Sequence, residues 1–149
     1  MTIYCYIALF MWSVSLLFSK EYFAHYSHKV RYYGFMLLTM FATLGVFLAK
    51  DLFTMFIFFE VMSLSSYVWV VQEETEEALK VGVTYLTIAV IGGMVMLMGL
   101  FLLNHALGTL EIAELYQAVQ SVWKEKSGQI YTAGFLMLFG FGAKAGMFP

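Results

Sequence analysis

The chain has 149 residues, 62% of them hydrophobic and 12% charged, and its mean hydropathy of +0.80 lies outside the range of soluble domains. A net charge of -2 supplies no basic field for nucleic acid. The single cysteine, Cys5, excludes an intrachain disulfide, a CxxC redox pair and a cysteine-built metal site, and three scattered histidines do not replace one. No cofactor or metal is therefore expected.

A helix requires about 20 mostly apolar residues to cross a hydrocarbon core of roughly 30 Å. Five segments meet that need: 2–19, 33–49, 51–71, 78–104 and 128–148, with Glu60 inside the third and Lys144 inside the fifth. The first lacks a positively charged leading segment and is followed by large residues, which predicts a retained helix rather than a cleaved signal. The runs are continuous and not alternating, which excludes a barrel. After the first span, a polar loop carries Lys20, Lys29 and Arg31 with His25 and His28, and the histidines are expected to be solvated. The later connection QEETEEALK returns to the same face. Lys20, Lys29, Arg31 and Lys80 then stand against Lys50, Lys124 and Lys126, a bias that places the first face inside.

Thr75 followed by Glu76 and Glu77 has the composition of a helix start, a capping hydroxyl with acids in the first turn. Between the last two spans, Ile112, Leu115, Tyr116, Val119, Val122 and Trp123 recur at helical spacing opposite Glu111, Glu114, Gln117 and Gln120. This predicts a short helix on the membrane surface over about 110–124. The fold class is thus all-α integral membrane: one domain over 1–149, about five transmembrane helices in a bundle, and one interfacial amphipathic helix.

Glu60 lies nine residues after Asp51, roughly 13 Å into the membrane at 1.5 Å per residue. Burial favours the neutral acid and a nearby cation favours the carboxylate, so moving one partner switches such a group. It reads as a proton or cation relay, or as a neutral acid bonded to a neighbouring helix. Lys144 sits in FGFGAKAGMFP, where three glycines and then Pro149 weaken the helix. It is either a buried proton carrier or a lysine snorkelling to the interface. Lys80 follows Glu76 by four residues, as in an exposed pair, or else reaches inward to Glu60. Lys50 and Asp51 occupy a turn and read mainly as topological, while His105 ends the fourth span as an interfacial residue or a relay station. The abundant Phe and Met form lipid-facing and packing surface, and Ser63, Ser65 and Ser66 allow close helix approach.

DLFTMFIFFEVMSLSSY resembles the glutamate-bearing helix of the antiporter-like subunits shared by respiratory complex I, Mrp cation/proton antiporters and energy-converting membrane hydrogenases. ALKVGVTYLTIAVIGG resembles the next helix with its lysine, GTLEIAEL the following surface segment, and FGFGAKAGMFP the broken helix whose lysine precedes a proline by five residues. Phe59 stands where the family frequently has tryptophan. The resemblance implies that Glu60 is the ion-pair glutamate, Lys80 its partner and Lys144 the central proton carrier, with Glu60–Lys80 pairing controlling the protonation of Lys144. Lysine at the centre favours H+ over Na+.

The resemblance covers the third to seventh of fourteen helices, so an incomplete unit is expected. Either a second polypeptide supplies the later helices or the sequence is a truncation. The implied partners are other membrane subunits of a multisubunit complex and the lipid bilayer, in an energy-transducing membrane such as a bacterial or archaeal plasma membrane. Redox chemistry, if the parent complex has any, belongs to other subunits. The competing expectation is a structural or assembly module that does not conduct.

Overall fold

The computed structural model describes residues 2–22 and 29–147. His25, His28 and Pro149 lie outside the described residues. Among the described residues five helices follow one another: α1 (Thr2–Tyr22), α2 (Lys29–Leu48), α3 (Leu52–Val70), α4 (Glu76–Leu107) and α5 (Leu115–Lys144). α1 to α4 are long and apolar enough to cross a membrane. α5 falls short of that apolarity, since its first part is polar and its last part carries Gln129, Thr132 and Lys144 among small residues.

Local chemistry sets the helix ends. Asp51 is extended (φ -126°, ψ 157°) and caps α3 by accepting from the Thr54 backbone N–H at 2.8 Å and from the Thr54 hydroxyl at 2.7 Å. Thr75 caps α4 by accepting from the Ala78 N–H at 3.1 Å, with Glu76 and Glu77 in the first turn where the helix dipole favours them. α4 stops at Gly108, whose φ of 75° is left-handed and whose N–H reaches the Asn104 carbonyl at 2.8 Å. The Lys126 ammonium donates to the Ala106 carbonyl at 3.2 Å, placing a cation on the same helix end.

The amphipathic segment begins at Leu115 rather than near 110, because residues 109–114 form a turn. It then runs into the last helix without a loop, and the two parts are marked off by a kink at Lys126 (φ -120°, ψ 19°). The turn pairs with the α2–α3 connection: Leu52 N–H donates to the Leu110 carbonyl and Ile112 N–H to the Lys50 carbonyl, each at 3.0 Å, around the Asp51–Glu111 bridge.

α4 packs most extensively on α5, and α3 on α2, with α3 and α4 joining the two pairs. Phe56, Met96 and Leu100 form the core, flanked by Leu52, Phe59, Leu97, Met137 and Phe141. Close approach of α4 and α5 depends on Gly140, where a Cβ would stand 2.6 Å from the Met96 Cβ and 2.7 Å from the Gly92 carbonyl oxygen. Hydroxyl groups join α2 to α3: Thr39 and Ser65 are hydrogen-bonded at 2.7 Å in the interior. At the other end of α2, Arg31 pairs with Glu74 and reaches the Gln72 side-chain oxygen at 3.3 Å, tying α2 to the α3–α4 connection.

Candidate functional site

The three helices that meet at the core bring two opposite charges together. Glu60 projects from the middle of α3 toward α4, into a niche that exists because residue 93 has no side chain. A Cβ on Gly93 would lie 2.5 Å from the Glu60 Oε1 and 2.9 Å from Cδ and Oε2. Lys144 is the last residue of α5. The helix ends there because Gly146 adopts a left-handed φ of 70° and the Met147 N–H returns to the Gly142 carbonyl at 2.9 Å, a Schellman closure. The ammonium therefore comes off a helix C-terminus, the end whose partial negative charge favours a cation.

Lys144 Nζ forms a salt bridge with Glu60 Oε1. The lysine side chain is 3% exposed and the glutamate side chain 22%. Nζ also lies 4.9 Å from the centroid of the Phe59 ring, within cation–π range, and that ring packs on Phe141 at 5.3 Å. Phe59, immediately before the glutamate, thus covers one side of the ammonium. On another side a cavity of about 240 Å3 is lined by Ser63, Tyr85, Ile88, Ala89, Ala143, Lys144 and Gly146. An ion pair with most of its water removed and one open side can be made and broken at modest geometric cost, which is what a switch requires.

Of the residues singled out from sequence, Glu60 and Lys144 come together and Lys80 does not. The expected Glu60–Lys80 pair is corrected by the placement of α4. Glu60 stands at the level of Gly93, thirteen residues along α4 from Lys80, or about 20 Å at 1.5 Å per residue. Gly82 already faces Val71 and Tyr67, so the first turn of α4 projects past the end of α3 and carries Lys80 with it. Lys80 is exposed, and among the described residues it makes no ion pair with Glu60 or Glu76. Lys50 and His105 are exposed as well. Asp51 serves as the α3 cap, and its Thr54 partner, through the hydroxyl first and the backbone N–H second, holds the carboxyl below the usual carboxylate range.

Residue types alone did not single out Gly93 as the carboxylate niche or Tyr85 as a cavity wall. A signal was available in the spacing: Tyr85, Ala89, Gly93 and Met96 recur at helical intervals on α4 and define a face whose middle positions, Ala89 and Gly93, are small, opposite the Glu60–Ser63 face of α3. Tyr85 closes the top of that face. Its phenolic oxygen is 2.6 Å from the Ser66 Oγ and 3.2 Å from the Ser63 carbonyl oxygen.

Known proteins place this arrangement in context. A family model described as NADH:quinone oxidoreductase/Mrp antiporter, TM, matches residues 49–149. A Na(+)/H(+) antiporter subunit of Alkalihalophilus pseudofirmus is 31% identical over 136 residues, covering 91% of this chain and 27% of that protein. An NADH-quinone oxidoreductase subunit of Deinococcus radiodurans is 32% identical over 127 residues, covering 83% and 26%. A Na(+)/H(+) antiporter subunit of Bacillus subtilis is 33% identical over 105 residues, covering 70% and 21%. The chain spans about a quarter of the length of these relatives. It is an integral membrane protein belonging to the NADH:quinone oxidoreductase/Mrp antiporter transmembrane family.

Proposed function

We propose that the chain is the ion-handling part of a proton- or cation-translocating membrane subunit of the Mrp or complex I type, an incomplete proton-conducting domain. The observation that carries this reading is the Glu60–Lys144 pair, a desolvated ammonium held by one carboxylate beside an open cavity. With the pair closed, the carboxylate stabilises the protonated lysine. When the two separate, burial disfavours the ammonium and the proton is released. At an effective dielectric of about 20, a unit charge about 3 Å away is worth roughly 5.5 kcal/mol, or about ten-thousandfold in proton affinity. That suffices to load and unload a carrier once per cycle.

The transported ion in this reading is H+, because a lysine amine accepts a proton whereas Na+ requires an oxygen-lined cage. Lys80 stands exposed and has no part in the pair. The later part of the pathway belongs to further membrane chain, in the same polypeptide or another. The host is an energy-transducing membrane, consistent with the bacterial origin of the relatives compared.

The test is coupled transport in membrane vesicles from cells carrying the complete complex with Glu60→Gln or Lys144→Ala. Both variants are expected to abolish coupled ion movement while the complex still assembles. Full transport by both overturns the reading, and loss of complex yield with normal transport per complex favours a structural module.

A further inference from the structure

The cavity beside Lys144 has polar groups on two helices besides the lysine, and their hydrogen bonds leave one of them free to hold water. The Ser66 hydroxyl donates to the Ser63 carbonyl at 2.8 Å. The Tyr85 phenol donates to the same carbonyl at 3.2 Å and lies 2.6 Å from the Ser66 Oγ. Tyr85 is thus fixed to α3 by two contacts, and its oxygen, with two lone pairs and one proton, retains an accepting position in a residue that lines the cavity. The cavity of about 240 Å3 also receives Ser63 and Lys144. It has room for several waters at about 30 Å3 each, and three polar groups to orient them.

We infer that Tyr85 is a positioning residue for proton delivery to Lys144, holding a cavity water in line with the amine; this rests on the carrier role proposed for Lys144. The proton passes from a hydronium in the cavity to Nζ: an O–H bond breaks, an N–H bond forms, and the hydronium becomes the water that Tyr85 retains. Tyr85 keeps its own proton throughout. The groups that bear on this step from the packed helices are Lys144 on α5, its partner Glu60 on α3, and the uncharged phenol of Tyr67, which lies near Gly82. Phe59 covers the ammonium with an apolar ring and does not line the cavity, so the cavity is the wet approach.

The experiment measures coupled transport against pH in vesicles carrying the complete complex with Tyr85→Phe, Ser66→Ala or, as a control, Thr87→Ala. The Thr87 hydroxyl bonds to the Val83 carbonyl of its own helix and faces away from the site. Tyr85→Phe keeps the ring and removes the water anchor, so delivery limits the rate where protons are scarce. Its alkaline limb is expected to shift to lower pH by about one unit, a tenfold higher proton requirement, with the maximal rate in acid retained. Ser66→Ala removes one of the two contacts that fix the phenol, leaving the Ser63 carbonyl, and is expected to shift the limb in the same direction by less, and Thr87→Ala not at all. An unshifted profile in Tyr85→Phe, or a uniform loss at every pH, overturns the inference. Should Tyr85→Phe fail to accumulate, Ser66→Ala decides by the same criterion. If Lys144→Ala transports normally, the carrier role itself falls; if it does not transport and both hydroxyl variants keep the wild-type profile, only the role of Tyr85 falls.

Discussion

A methyl group at position 93 is expected to displace the Glu60 carboxylate from the niche in which it meets Lys144, without altering either ionisable residue. The added Cβ would meet the Glu60 Oε1 at 2.5 Å and Cδ and Oε2 at 2.9 Å. Ordinary contact lies near 3.5–4.0 Å, so the carboxylate must retreat by about 1 Å. It is the far end of a flexible side chain, and the retreat leaves the helices in place. Lengthening an ion pair from about 3 to about 4 Å at an effective dielectric of about 20 costs roughly 1.4 kcal/mol, about tenfold in an equilibrium constant. Gly93→Ala is accordingly expected to lower coupled transport about tenfold in vesicles carrying the complete complex, at unchanged abundance. Gly134→Ala, with nothing within 4 Å of the new Cβ, is the matched control. Glu60→Asp in the Gly93→Ala background shortens the acid by one methylene and should restore part of the rate. Wild-type transport by Gly93→Ala refutes the reasoning, as does a loss of rate that merely follows a loss of protein.

Gly140→Ala places its Cβ against the Met96 Cβ and the Gly92 backbone, which cannot swing aside, so it should lower stability in detergent by about 1–3 kcal/mol, read from thermal unfolding. Asp51→Ala should cost about 1 kcal/mol through the lost α3 cap, whereas Asp51→Asn keeps an accepting oxygen and costs less. Because Thr54 holds the Asp51 carboxyl below its ordinary value of 3.8, the ionised cap stabilises the fold above that value and the contribution disappears as pH falls through the lower folded one. Unfolding measured from pH 6 into acid should show that loss in the wild type and not in Asp51→Asn. Lys80→Met should leave stability within about 0.5 kcal/mol of wild type and reduce transport far less than Lys144→Ala, since Lys80 is exposed and remote from Glu60.

The helices were legible because lipid enforces long apolar runs, and the Thr75 start was legible because a capping hydroxyl and first-turn acids have a distinct order. Continuity between the surface segment and α5 was hidden, since polarity changes at residue 126 while the backbone keeps turning on both sides of the kink. Glu60 and Lys144 were recognisable as costly charges. Their direct pairing was not, because spacing fixes which face of its own helix a residue occupies but not the height at which two helices meet. That height is set by Gly82 against Val71 and by Gly93 against Glu60, contacts in which the decisive residue contributes no side chain. Lys80 was implied as a partner by the family resemblance, which carries no information on the height of α4 against α3 in this chain.

The backbone bonds joining Lys50–Leu52 to Leu110–Ile112 lie at the end of α3 remote from Lys144. They tie the start of α3 to the turn that precedes α5. Glu60 is about 13 Å along α3 from that end, so a tilt of about 5° there carries its carboxylate roughly 1 Å relative to α5. A joint at one end of a helix thus converts a small change of angle into a displacement of the size that loosens an ion pair.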